Sequence, residues 1–165
     1  MILGMPYFTF FHVAISLAGI VSGVVVLAGL LSSRPLPGWT ATFLVTTALT
    51  SITGFGFPFA ALLPSHKVGI ISLIVLAVAS FARYFGHVAG AWRWIYVVGA
   101  VAALYFNCFV LVVQLFKHID SLHALAPTQT ERPFQLTQLI VLVLFLAAGI
   151  RAVRRFRPAA ASSRV

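Results

Sequence analysis

The stretch "ALLPSHKVG", residues 61–69, decides how many times this chain crosses a membrane. It interrupts an apolar run that covers residues 39–86. As one helix, that run would be about 72 Å long, more than twice the thickness of a bilayer core. Pro64 can end one helix, and Ser65 can cap the next one. The sequence therefore predicts two helices here, at residues 39–63 and 66–85.

The composition is that of an integral membrane protein. Of the 165 residues, 61% are hydrophobic and 8% are charged, and the mean hydropathy is +1.07. Soluble domains carry about 25% charged residues. The eleven basic residues give a net charge of +9, but they lie between and after apolar runs, where positive charge sets membrane topology. We expect one compact bundle in a lipid bilayer and no nucleic-acid partner.

Five apolar segments are long enough to span a bilayer, so the predicted fold class is an all-α bundle of five transmembrane helices. The predicted helices are 8–31, 39–63, 66–85, 91–116 and 134–153, with a long loop at 117–133 and a basic cytoplasmic tail at 154–165. The Gly and Pro residues in "TGFGFPF", residues 53–59, leave a re-entrant second segment open as an alternative. No removable signal peptide is expected, because no basic region precedes the first helix.

The basic residues predict the orientation of the bundle. Five crossings would place Lys67, Lys117 and Arg132 on one side and the other eight basic residues on the opposite side: Arg34, Arg83, Arg93, Arg151, Arg154, Arg155, Arg157 and Arg164. The side that is richer in arginine faces the cytoplasm by the positive-inside rule. The N-terminus is then outside and the C-terminus inside.

Polar residues recur at helical spacing on several segments. On the first helix His12 and Ser16 align with Gly19 and Gly23, a GxxxG pattern that favours close helix packing. On the second, Thr42, Thr46, Thr50 and Thr53 form a stripe that packing or a narrow polar path would explain. The residues predicted to line the polar interior of the bundle are Ser16, Asn107, Gln114, Gln135 and Gln138.

Histidines near the outer face suggest a cofactor site. A b-type haem could be held axially by His12 with His66 or His118. A divalent metal such as zinc, copper or nickel could be held by His118, Asp120 and His123, with His66 nearby. An aqueous loop also collects polar residues without any site. The single cysteine, Cys108, is expected to pack in the interior and cannot form an intramolecular disulfide.

The run "LPSHKVGIISLIVLAVASFARY" with "AWRWIYVVGAVAALYFNCFVLVVQLFKHIDSLHALAPTQTERPF" resembles a group of small uncharacterised multi-pass inner-membrane proteins of proteobacteria. The resemblance covers roughly residues 40–155. It implies a bacterial inner membrane and supplies no functional residues.

Three functions fit these observations. The first is an accessory or structural subunit that binds other helices in a membrane complex or forms a homo-oligomer. The second is a redox or cofactor module that uses the outer histidines. The third is a small-molecule carrier, although no acid lies within a membrane segment. No nucleophile with a base and an acid is visible, so we do not expect an enzyme acting on soluble substrates.

Overall fold

The computed structural model describes residues 6–57 and 64–157, without the side chains of residues 64 and 65. Within these ranges the chain forms helices and no strand, which confirms the predicted all-α class. The helices are α1 (Tyr7–Leu31), α2 (Pro37–Gly54), α3 (Pro64–Tyr84), α4 (Ala91–His118), α5 (Asp120–Leu125) and α6 (Arg132–Arg155).

Among the described residues, four helices are long and apolar enough to cross a membrane: α1, α3 from His66, α4 and α6. The helix α2 is not among them. It has 18 residues, about 27 Å at 1.5 Å per residue, and threonines interrupt its apolar sequence. It begins at Pro37, whose missing N–H would have no partner in a first helical turn.

Two helix boundaries differ from the sequence-based expectation. The helix α2 ends at Gly54 instead of residue 63, residues 55–57 form a turn, and residues 58–63 lie outside the described ranges. The loop predicted at 117–133 contains the short helix α5, which was not expected. Predicted tail residues 154 and 155 still belong to α6, and residues 158–165 are outside the described part of the chain.

The five long helices alternate in direction. His12 near the start of α1 contacts Thr53 near the end of α2, and Gly99 near the start of α4 lies beside Ala79 on the second half of α3. One end of the bundle, here called the α5 end, holds α5 and the start of α1. The opposite end, called the arginine end, holds the α1–α2 and α3–α4 turns and the end of α6.

The helix α4 lies at the centre of the bundle and packs against α1, α3, α5 and α6. Its buried residues Val97, Ala103 and Leu104 belong to the main hydrophobic core. Gly19 and Gly23 of the predicted GxxxG pattern are both buried. At Gly23 an added Cβ would lie 2.5 Å from Leu104 Cδ1 and 2.8 Å from Phe43 Cε2, so glycine permits this close approach.

Candidate functional site

The predicted haem ligand His12 is held by α2. Its ring Nδ1 lies 2.8 Å from the hydroxyl of Thr53. That hydroxyl is also 2.7 Å from the carbonyl of Leu49, to which it donates. In the tautomer of His12 with Nδ1 protonated, Nδ1 donates to this hydroxyl while the hydroxyl donates to Leu49. The Nε2 atom then has an unprotonated lone pair.

The second histidine, His66, lies at the start of α3 and is buried. Its ring centre is 5.4 Å from that of Phe55, and the ring of His12 lies 5.0 Å from that of Phe57. Both imidazoles are thus beside the end of α2 and the turn that follows it. These two predicted haem ligands therefore lie beside the same turn, at the α5 end of the bundle.

The third histidine, His118, is exposed on the last turn of α4. The extended backbone of Ile119 separates α4 from α5, which carries the exposed side chains of Asp120 and His123. Across residues 6–57 and 64–157, no group of three or more His, Cys, Asp and Glu side chains is arranged to hold a metal ion. The three residues predicted as metal ligands thus lie on the surface around a helix break.

A hydrogen bond links the middle of α2 to α4. Asn107 donates from Nδ2 to the hydroxyl of Thr47 over 3.0 Å. An added Cβ at Gly19 of α1 would lie 3.3 Å from the Thr47 hydroxyl and 3.4 Å from Asn107 Nδ2. Because Gly19 has no side chain, α1 can pack closely against the hydrogen-bonded pair of Asn107 and Thr47. Cys108, the next residue on α4, is half-buried.

Most other hydroxyls in the bundle bond to their own helix. Ser16 donates to the carbonyl of His12, and Thr42 and Thr46 donate to carbonyls four residues earlier. The buried polar face of α2 consists of Thr40, Thr47 and Ser51. It is rotated from the predicted stripe, in which Thr42 is exposed. These bonds satisfy the donating hydroxyls within their own helices. The buried hydroxyl oxygens of Thr50 and Ser72 have no hydrogen-bond partner in the described structure.

The predicted interior glutamines divide into two kinds. Gln138 is half-buried, and its Nε2 donates to the carbonyl of Phe109 on α4 over 3.1 Å. Gln114 and Gln135 lie on the surface instead. At the level of Gln114, the buried side of α4 carries Val112 and Phe116, so the amide points the other way.

A carboxylate organises the loop before α6. Glu131 accepts hydrogen bonds from the Thr128 hydroxyl at 2.8 Å, the Thr128 N–H at 3.2 Å and the Thr130 N–H at 3.0 Å. Desolvation acts to raise the pKa of Glu131, but the hydrogen bonds outweigh it and hold that pKa below its usual value. The ionised carboxylate is therefore the form that holds this loop.

The arginine end contains two contrasting guanidinium groups that sequence reasoning did not single out as sites. Arg93 donates from Nη1 to the carbonyls of Val153 at 2.8 Å and Phe156 at 2.7 Å. It therefore caps the end of α6. The guanidinium carbon of Arg83 lies 5.6 Å from the ring centre of Tyr96, a cation–π geometry. Sequence spacing predicted only that Arg83 would lie near a membrane interface.

Comparison of the chain with protein-family models, curated protein sequences and solved structures returned no match.

Proposed function

We propose that the protein is an accessory or structural subunit of a membrane complex or of an oligomer of its own chain. The observation that carries the proposal is the exposure of α6, in which Ala152 alone is buried by the other helices. The helix presents a continuous stripe of exposed apolar side chains along its length: Leu136, Leu139, Ile140, Val143, Leu144 and Ile150. A second helix can pack against this stripe.

The interior supports the same proposal. Three side chains form a hydrogen bond to a neighbouring helix: His12, Asn107 and Gln138. Small residues bring the helices together, as where an added Cβ at Gly99 would lie 2.9 Å from Cβ of Ala79. Polar groups used in this way strengthen helix packing in a bilayer. These contacts stabilise the bundle itself. A subunit that positions other helices requires such a stable bundle.

Crosslinking in native membranes, followed by light scattering in mild detergent, tests the proposal. Leu144→Trp would disrupt association through α6, because it adds bulk to the middle of the stripe. Ile74→Trp on α3 is the matched control, since the two side chains are exposed to 62% and 60%. Loss of association in Leu144→Trp but not in Ile74→Trp supports association through the exposed stripe of α6. A monomer without partners in the unmodified protein contradicts the function.

The finer topology is part of the same proposal. Five crossings and an outer N-terminus are supported by the alternation of the five long helices and by the arginines at one end. A bacterial inner membrane is supported only by the sequence resemblance over residues 40–155. Three variants test this topology, each with one cysteine, at position 32, 67 or 121, in a Cys108→Ser background. Intact cells are treated with a maleimide that does not cross membranes. We expect labelling at positions 67 and 121 and none at position 32. Labelling of positions 32 and 67 from the same side would contradict a crossing by α2.

A b-type haem held by His12 and His66 is a second candidate, favoured by the position of both imidazoles beside the end of α2. In the tautomer of His12 with Nδ1 protonated, the unprotonated Nε2 is the atom that can bind a metal. A reduced-minus-oxidised spectrum of the purified protein tests it. A b-haem band that disappears in His12→Ala would support it, and a spectrum without that band would refute it.

A further inference from the structure

The last two turns of α6 border an open recess on the outer surface of the bundle. Its lining consists of two apolar residues, Ala147 and Ile150, and three arginines, Arg151, Arg154 and Arg155. The recess has a volume of about 470 Å³, and all three arginines are exposed. A ligand can therefore enter it without displacing a packed side chain.

Helical spacing brings the three arginines to this one recess. Arg154 and Arg155 follow Arg151 by three and four residues, a spacing that places their Cβ atoms about 5–6 Å apart on the helix surface. Ala147 and Ile150 precede Arg154 on the same face, at spacings of three and four. The positive charge thus begins where the exposed apolar stripe of α6 ends. In a bilayer that boundary lies at the level of the headgroups.

The three guanidinium groups have no acidic partner among the side chains of this chain. The sequence contains two acidic residues. Asp120 begins α5 and Glu131 precedes α6, so both lie at the α5 end. Glu131 stands 20 positions before Arg151, which corresponds to about 30 Å along the helix. None of the three guanidinium groups forms a hydrogen bond with another described residue, so their N–H donors face the recess uncommitted.

The end of the α6 dipole does not cancel this positive charge. Backbone carbonyls at a helix C-terminus carry partial negative charge, which would oppose a bound anion. At α6, Arg93 donates to the carbonyls of Val153 and Phe156 from the neighbouring helix α4. A fourth guanidinium therefore covers the helix end and leaves the recess electropositive.

We propose that this recess binds the headgroup phosphate of an anionic phospholipid, whose acyl chains lie beside Ile150 and the apolar stripe that precedes it. Guanidinium groups bind phosphate oxygens through paired, charge-assisted hydrogen bonds. The apolar half of the lining suits a lipid and gives nothing to free phosphate. The exposed indoles of Trp39 and Trp92 lie at this same end of the bundle, and indoles favour the headgroup level. The site belongs to one helix of one chain, so it does not require association with other helices.

Native mass spectrometry of the full chain, released from a neutral detergent at about 0.15 M ionic strength, tests the site. The protein is titrated with dioleoylphosphatidylglycerol and, separately, with dioleoylphosphatidylcholine, whose headgroup has no net charge. We expect one saturable site that prefers the anionic lipid. Arg151→Gln and Arg154→Gln should each weaken its binding about fivefold, and the double variant about thirtyfold. The affinity for the neutral lipid should not change.

Arg34→Gln is the matched control, because it removes the same charge from an exposed side chain at the same end of the bundle, outside the recess. Its affinity for the anionic lipid should stay within about twofold of the unmodified protein, since solvent and salt screen exposed charges that do not touch the ligand. A loss in Arg34→Gln equal to that in Arg151→Gln would show diffuse attraction to basic charge and overturn the proposal. Equal affinity of the unmodified protein for the two lipids would also overturn it. The titration is read on the monomer, so its result is independent of whether the protein associates through α6.

Discussion

The side-chain amide of Asn107 donates to the hydroxyl of Thr47 over 3.0 Å and joins α4 to α2 in the middle of the bundle. The two helices are not consecutive in the chain, so this bond fixes their relative height. The helix α1 approaches the bond closely, since an added Cβ at Gly19 would lie 3.3 Å from the Thr47 hydroxyl. An amide within an apolar bundle needs such a partner.

Removing this bond should destabilise the bundle. We expect Asn107→Leu and Thr47→Val each to lower the free energy of unfolding by about 1 kcal/mol, and the pair to be coupled by about 0.6 kcal/mol. Unfolding in mixed detergent micelles, read as a double-mutant cycle, measures both values. Thr42→Val is the control, because that exposed hydroxyl bonds only to its own helix in the described structure. Additive effects would contradict the coupling.

Gly23 should not tolerate a side chain. An added Cβ would lie 2.8 Å from the ring of Phe43 and 2.5 Å from Leu104 Cδ1, so in Gly23→Ala these two side chains or the helices that carry them must move. We expect a loss of about 1–3 kcal/mol in the free energy of unfolding. At Gly38 no atom lies within 4 Å of an added Cβ, and Gly38→Ala should be neutral or stabilising by up to about 1 kcal/mol. Equal effects at the two positions would show that packing is not the cause.

Acid should loosen the loop that precedes α6. The pKa of Glu131 is lowered in the folded protein. Its contribution to stability is therefore fully present above the ordinary glutamate pKa and is lost as the pH falls through the folded pKa. Hydrogen exchange at the amides of Thr128 and Thr130, corrected for the intrinsic rate, should show protection near neutral pH and lose it in acid. In Glu131→Gln this pH dependence should disappear. An unchanged pH profile in that variant would assign it to another group.

Arg93 should stabilise the last turn of α6. Its guanidinium holds the carbonyls of Val153 and Phe156, and leaving them without a donor costs about 1–3 kcal/mol locally. We expect Arg93→Gln to increase hydrogen exchange in the last turn of α6 while the middle of α4 stays protected. Arg155→Gln removes the same charge and should leave the exchange unchanged. Fraying in both variants would indicate a general charge effect.

Local signals in the sequence predicted most of the helical architecture. Prolines and glycines mark the turns, and apolar length marks α1, α3, α4 and α6. The end of α2 at Gly54 was not predicted, because hydrophobic residues continue through the turn that follows it. The Gly and Pro residues at 53–59 were the available signal and suggested a re-entrant segment as an alternative. The helix α5 was also missed, since its six residues carry too little periodicity to distinguish them from a loop.

The polar site residues were harder to place than the helices. Helical spacing put Gln114 on the same face as Asn107, and that periodicity is correct. Burial depends on which neighbour covers the face, however, and α4 changes neighbours along its length. It packs with Leu76 of α3 in the main core and with Phe134 of α6 near the α5 end. A single sequence carries no record of this exchange.

The turn between α1 and α2 forms hydrogen bonds with the last described residue, Arg157. The Ser33 hydroxyl donates to the carbonyl of Arg157 at 3.0 Å and accepts from its N–H at 2.8 Å, across 124 positions in sequence. The turn between α1 and α2 is made early during synthesis, yet its partner emerges only after α6. These two bonds can therefore form only after translation has passed residue 157. A chain that stops short of that point would leave Ser33 without this partner.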